Sequence, residues 1–219
     1  MGCLHHFHVA HLARQHGCRR FIETGTAHGH GLAHAAALGC FERLDSIEGY
    51  APAYEAVLPR FHGQPGIHLH HGHSPEVLHA LCAQPPAPCF FWLDAHFPGA
   101  DTGHAAYDAE PDPARRWPLQ AELDAIAAVP EVAARSVLLL DDLRIYTGQA
   151  WPHPRCRRAD PPAEWLLTRA DEATPDFPGA DPTLSPPPLD LRAFQATHTL
   201  ELWHWHEGYA LLVPNASDQ

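Results

Sequence analysis

Short apolar runs rich in β-prone residues recur along the chain and alternate with stretches whose apolar positions repeat at helical spacing. Arg20 to Glu23, Leu44 to Glu48, Ile67 to His70, Cys89 to Asp94 and Ser136 to Asp141 read as strands. Between and after them, Leu32 to Leu38, Ala51 to Phe61, Pro75 to Ala83 and Leu119 to Val129 read as helices. Ser74 before Pro75 supplies a helix cap followed by proline in the first turn. Such alternation predicts an α/β protein, a mostly parallel sheet with crossover helices on both faces.

Upstream, Leu4, Phe7, Val9, Ala10 and Leu12 give one apolar side to an expected helix within residues 1–17. From Trp151 to Pro188 the chain turns to Pro, Asp and Ala, which predicts an insertion or lid over residues 151–190, with a short helix around Glu164 to Arg169. Thr197 to His206 is aromatic and β-prone, Glu207-Gly208 reads as a turn, and Tyr209 to Val213 is a second apolar run. Together they predict a β-hairpin, and the pattern as a whole predicts one domain over 1–219 with a seven-stranded sheet.

Composition narrows the chemistry. The formal charge of −12, with basic residues clustered only at Arg155-Cys156-Arg157-Arg158, argues against a nucleic-acid partner. No apolar run approaches the roughly 20 residues of a membrane span, and the opening Met1-Gly2-Cys3-Leu4-His5-His6 lacks signal-peptide features; a soluble, cytoplasmic protein is expected. All 14 basic residues are Arg, which excludes a lysine Schiff base and a Walker-type phosphate loop. The six cysteines form no Cys-x-x-Cys pair and read as thiols, mostly buried. Among the 20 histidines, His68, His70, His71 and His73 crowd one strand, where chance clustering competes with a metal site.

Glu23-Thr24-Gly25-Thr26-Ala27-His28-Gly29-His30-Gly31 places a strand-end acid, a glycine turn and a helix N-terminus in succession, a nucleotide-type arrangement. The spacing Gly-x-x-x-Gly-x-Gly differs from the Gly-x-Gly-x-x-Gly of nicotinamide sites, and by itself the turn is also compatible with a purely structural role. Glu48, ending the next strand, could accept both hydrogen bonds of a ribose diol, and Tyr50 could stack on a base. Further on, Asp94-Ala95-His96 and Asp141-Asp142 end two apolar runs that adjacent parallel strands would bring together. Carboxylates so close repel unless a cation neutralises them, and oxygen donors favour Mg²⁺, Mn²⁺ or Ca²⁺. Plainer roles remain open: Asp141-Asp142 as a helix cap, Asp94 bonded to a loop amide, Arg144 neutralising the pair, and His96 in a structural hydrogen bond.

From Cys18 to Pro214 the sequence resembles class I S-adenosylmethionine-dependent methyltransferases, in the order of glycine motif, ribose acid and terminal hairpin. The resemblance implies a Rossmann-like methyltransferase fold and a cofactor site of Glu23, Gly25, Thr26, Gly29, Glu48, Tyr50, His73 and Ser74. Glu23 and Gly25 would lie near the methionine part and Glu48 at the ribose. His71-Gly72-His73-Ser74 resembles the family's adenine-contacting Gly-Asp-Ser, with His73 in place of the acid. Asp94 with Asp141-Asp142 is similar to the metal site of sugar O-methyltransferases of antibiotic biosynthesis. That likeness implies Asp94, Asp141 and Asp142 as ligands of Mg²⁺ or Mn²⁺, Asp94 and His96 as catalytic residues, and His96 as the general base where the family has an acid.

The expected function is therefore methyl transfer to a hydroxyl of a small molecule or sugar. Phe97 to Trp117, which begins at this acid cluster, reads as a substrate loop or as an ordinary exposed connection. A nicotinamide-dependent oxidoreductase and a non-catalytic binding module of the same fold are the alternatives. Membrane partners are not expected, and a homo-oligomer is compatible with the sequence without being indicated by it.

Overall fold

The computed structural model describes residues 3–85, 87–100, 102–107, 109–147, 157–168, 186–205 and 208–216. Five parallel strands fall on the five apolar runs: β1 (Arg20–Thr24), β2 (Arg43–Glu48), β3 (Ile67–His71), β4 (Cys89–Leu93) and β5 (Val137–Leu140). All residues of β4 and β5 are buried because helices cover both faces there, which is why these two read as continuous apolar runs. β3 lies at an edge, and its His68 and His71 are exposed.

Three further strands join the sheet. β6 (Arg157–Ala159) forms the far edge, β7 (Leu166–Leu167) and β8 (Leu189–Asp190) pair separately, and β9 (His198–His204) with β10 (Tyr209–Pro214) form the predicted terminal hairpin. The order is β3-β2-β1-β4-β5-β10-β9-β6, with β10 antiparallel to β5. Among the described residues the sheet thus has eight strands, the expected seven plus β6, whose Ala159 pairs with Leu202.

α1 (Val9–Gln15), α2 (His30–Ala37) and α3 (Ala51–Phe61) cover one face, burying Val9, Leu32, Val57 and Phe61 against Phe21, Phe90 and Leu139. The other face carries α4 (Ser74–Cys82), the short α5 (Pro113–Arg116), α6 (Leu119–Ala127), α7 (Pro130–Ala133) and α8 (Leu143–Thr147). There Leu78, Leu123 and Ile126 pack on Ile22, Phe91 and Leu138. No helix of the described residues is long and apolar enough to cross a membrane.

Two local expectations are corrected. The N-terminal helix is interrupted: a 3-10 turn spans Leu4–His6, and α1 starts only at Val9 because Phe7 is extended. That extension lets the Phe7 ring meet Tyr209 edge-on at 5.0 Å. The helix expected around Glu164 to Arg169 does not form over its described part. Trp165 adopts φ 51°, and Leu166–Leu167 pair with Leu189–Asp190, which buries Leu167 and Leu189. Most of the 151–190 excursion, like Cys156, lies outside the described residues.

Two of the strand histidines, His70 and His71, have structural partners. His70 Nε2 lies 2.8 Å from Asp45 Oδ1, while Arg20 and Arg43 donate to the same carboxylate at 2.7 and 2.8 Å. Asp45 is fully buried in β2. Burial alone would raise its pKa, but the hydrogen bonds from His70, Arg43 and Arg20 outweigh it and hold the carboxyl below its ordinary range. Arg20 also donates to the Leu81 carbonyl at 3.0 Å, tying β1 to α4. His71 stacks on Tyr54, so these histidines fasten the edge of the sheet. Cys18, Cys82 and Cys89 are buried thiols, raised by burial to about 11, about 11 and about 12, and are unreactive near neutral pH.

Candidate active site

β1 lies between β2 and β4, so the chain leaves the C-terminal ends of β1 and β4 in opposite directions, and a crevice opens between them. A cavity of about 180 Å³ fills this crevice. Its walls carry Gly25 after β1, Glu48 ending β2, His73 and Ser74 at the start of α4, and Asp94 and His96 after β4.

Gly25 is required twice over. Its φ of 78° suits glycine, and a Cβ would stand 2.6 Å from the Asp94 carbonyl oxygen, so the β1 turn and the end of β4 meet backbone to backbone. Gly25 N and Thr26 N donate to the Ile47 carbonyl, which docks the turn on β2. Glu48 completes the turn: one carboxylate oxygen accepts from Ala27 N and the other from Tyr50 N, each at 2.8 Å. Each oxygen keeps a second lone pair for a ligand in the cavity. Burial raises the Glu48 pKa, against the Tyr50 and Ala27 amides.

Tyr50 lines the same cavity, with Gly99 against its ring and His104 6.0 Å away between centroids. The region Phe97 to Trp117 is therefore partly a wall of the pocket, through Phe97, Gly99, Thr102, Glu110 and Arg115. Phe97 itself is buried against Tyr107 and adopts φ 40°.

Three of the expected cofactor residues stand behind the pocket. Glu23 is buried beneath α2, with Oε1 against Gly31 and Oε2 accepting from Ser46 Oγ at 2.5 Å. Burial outweighs that hydrogen bond and pushes its carboxyl up to about 8. Thr26 Oγ1 bonds Ser46 Oγ at 2.6 Å, which extends the same chain. Gly29 faces Phe61 and Val57 of α3. These residues hold the shape of the turn, whereas Gly25, Glu48, Tyr50, His73 and Ser74 reach the cavity.

Ser74 does not cap α4; His73 occupies the N-cap position, and the Ser74 hydroxyl donates instead to Glu122. Thr24 Oγ1 donates to the other Glu122 oxygen at 3.2 Å. Glu122 is fully buried on α6, and burial, against these two hydroxyls, pushes it up to about 7. This residue was missed, although the sequence carried a signal. With Leu119, Leu123 and Ile126 it occupies the apolar stripe of its helix, where a carboxylate needs partners.

The acids after β4 and β5 converge as expected. His96 Nε2 lies 2.9 Å from Asp142 Oδ2, and its Nδ1 is 3.9 Å from Asp94 Oδ1, beyond a hydrogen bond. Asp94, His96 and Asp142 each offer a ligand atom within 4.8 Å of the others. Asp141 lies outside that group: its Oδ1 accepts from Asp142 N at 2.7 Å, and its buried Oδ2 has no hydrogen-bond partner among the described residues. Arg144 donates to Asp142 Oδ1 at 3.1 Å, so partial neutralisation by arginine is present.

Burial and then the Asp94 and Asp142 charges push the Asp141 pKa well up. For Asp142, burial is overcome by His96 and Arg144, and its carboxyl sits below the usual range. Asp142 holds φ 55°, a strained backbone for a non-glycine residue. Behind His96 lies a void of about 10 Å³ lined by Asp94, Asp141, Asp142 and Tyr146, about the size of a single water or ion.

No protein-family model matches the chain, and no curated protein sequence matches it. Solved structures do match. A candidate caffeoyl-CoA O-methyltransferase from Staphylococcus aureus superposes with a TM-score of 0.57 at 10% identity, covering 98% of this chain and 85% of that one. A Podospora anserina methyltransferase with bound S-adenosylhomocysteine gives 0.53 at 13% identity, covering 94% and 76%. With the antiparallel β10 inserted beside β5, the chain has the Rossmann-like methyltransferase fold.

Proposed function

We propose that this protein is an S-adenosylmethionine-dependent methyltransferase that methylates a hydroxyl of a small molecule or sugar. The observation that carries the reading is Glu48, a carboxylate fixed by two backbone amides at the wall of the switch-point cavity, with lone pairs left for a ribose diol. Gly25 and Ala27 beside it form the backbone surface for the methionine part, and Tyr50 and His73 the walls for the base. The inserted antiparallel strand weighs against the nicotinamide alternative, whose sheet is parallel throughout its two halves.

In the proposed reaction the acceptor oxygen attacks the sulfonium methyl in line. The O–CH₃ bond forms as the S–CH₃ bond breaks, and the hydroxyl proton goes to His96. Asp142 Oδ2, 2.9 Å from Nε2, fixes the orientation of the imidazole, whose Nδ1 side faces Asp94. Positioning supplies most of the rate, because methyl transfer needs reacting atoms near contact and aligned.

The group Asp94, His96 and Asp142 favours a second reading with a divalent cation. The mixed nitrogen and oxygen donors and the void beneath them fit such an ion, and imidazole suits Mn²⁺ better than Mg²⁺. A bound ion would polarise the acceptor hydroxyl. His96 would then be a ligand.

Calorimetry with S-adenosylhomocysteine tests the main reading. Wild type should bind, and Glu48→Ala should bind at least about tenfold more weakly, the loss of a hydrogen bond to a charged group. Heat with NADH but none with S-adenosylhomocysteine, or unchanged affinity in Glu48→Ala, would refute it. Loss of turnover in chelator, restored by Mn²⁺, would select the metal reading.

A further inference from the structure

A different set of donors meets at the 3-10 turn Leu4–His6. Cys3, His5 and His6 each place one ligand atom within 4.8 Å of the other two. The turn produces this convergence. His6 N donates to the Cys3 carbonyl at 3.0 Å and Phe7 N to the Leu4 carbonyl at 3.2 Å, which winds the chain tightly. Leu4 then points into the core, and the residues on either side of it face one another outside.

The His5 and His6 rings are 4.2 Å apart between centroids, and the His34 ring of α2 is 6.3 Å from that of His5. The turn is held from three directions: Leu4 in the core, the His6 ring against Trp205 at 3.9 Å, and Phe7 against Tyr209. Cys3 is a thiol, with no disulfide. None of these residues lines the switch-point cavity.

We propose that Cys3, His5 and His6 form a binding site for a borderline-soft divalent cation, Zn²⁺ foremost, with the His34 imidazole of α2 beside it. The reasoning is chemical. One thiolate and two imidazoles are the donors Zn²⁺ takes in tetrahedral sites, whereas Mg²⁺ and Ca²⁺ require oxygen. The donors are already gathered by a turn that the core anchors, so little ordering entropy opposes binding. On binding, the Cys3 thiol releases its proton to solvent and the sulfur coordinates as thiolate. The ion would brace the turn beside α2 and add to stability by mass action.

The whole chain is titrated with Co²⁺ and then Zn²⁺. Wild type should develop a near-ultraviolet thiolate-to-cobalt charge-transfer band that Zn²⁺ removes. The acid cluster around His96 contains no sulfur and cannot give this signal. Cys3→Ser should abolish the band, and the double variant His5→Ala/His6→Ala should weaken Zn²⁺ binding at least about tenfold. Zn²⁺ should also slow alkylation of Cys3 by iodoacetamide, read by mass spectrometry on unmodified protein. No band in wild type, a band that survives in Cys3→Ser, wild-type affinity in the double histidine variant, or an alkylation rate indifferent to Zn²⁺ would each overturn the proposal.

Discussion

Glu23→Gln is expected to make the protein less stable than wild type or equal to it at pH 5, and more stable at pH 9. Glu23 is buried under α2 and titrates at about 8, against 4.5 for an ordinary glutamate. Between those values the folded protein holds a proton that the unfolded chain has released, so rising pH favours unfolding. The contribution is fully present below about 4.5 and is lost as pH climbs through 8. Each factor of ten in proton affinity is worth about 1.4 kcal/mol, so wild type loses about 3 kcal/mol from this group by pH 7 and about 4 kcal/mol between pH 5 and 9.

Glutamine keeps an acceptor for Ser46 Oγ and stays neutral throughout, like the protonated acid. Urea unfolding followed by tryptophan fluorescence at several pH values gives both curves. Other groups, including His198, whose pKa burial lowers, shape each curve by itself. The difference between the curves isolates Glu23. A difference that stays flat from pH 5 to 9 would mean that Glu23 is already ionised in the folded protein, and the burial argument would fail.

Gly25→Ala should destabilise the fold by about 2–4 kcal/mol, from left-handed strain plus a Cβ 2.6 Å from a backbone oxygen, and should abolish S-adenosylhomocysteine binding; a stable, binding-competent variant counts against the close-approach reading. Asp45→Asn should cost about 3 kcal/mol in denaturant unfolding, because the Arg20 guanidinium, 13% exposed, loses its carboxylate. A loss below 1 kcal/mol would show that water replaces the pair. Asp142→Asn should lower turnover by at least about tenfold and shift the acidic limb of the pH–rate profile, since it removes the charge facing His96 Nε2. An unshifted profile would exclude His96 as the titrating base.

The parallel half of the sheet was legible because its strands are buried on both faces and stand between turn residues. Leu44 to Glu48 became Arg43–Glu48, and Cys89 to Asp94 became Cys89–Leu93. Short segments were not. Trp165-Leu166-Leu167 is too brief for a period to separate helix from strand, and its partner Leu189–Asp190 lies more than twenty residues on.

In the site, adjacency of strand ends foretold that Asp94 and His96 would approach Asp141 and Asp142, and of these Asp94, His96 and Asp142 bring ligand atoms together while Asp141 does not. What spacing could not supply was direction. Glu23, Ser46 and Glu48 point to the same face of the sheet, yet only Glu48 reaches the cavity, because Gly31 of α2 stands over Glu23 and Thr26 of the turn bonds Ser46. Likewise, Asp141 and Asp142 are neighbours in sequence, but the turn at Asp142 aims only the second at His96.

The place of β10 carries a consequence for how the protein is made. It follows β9 in sequence, yet it sits between β5 and β9 and, among the described residues, is the strand that links the parallel half to β9 and β6. Until Tyr209–Pro214 leaves the ribosome, β5 has an open edge in which all four residues, Val137–Leu140, are apolar and otherwise buried. An open edge of this kind recruits strands from other chains, so the nascent protein is most prone to aggregate until Tyr209–Pro214 has emerged and paired. Ribosome stalling before Tyr209, or a truncation that removes Tyr209–Pro214, would therefore be expected to yield insoluble protein rather than a smaller folded domain.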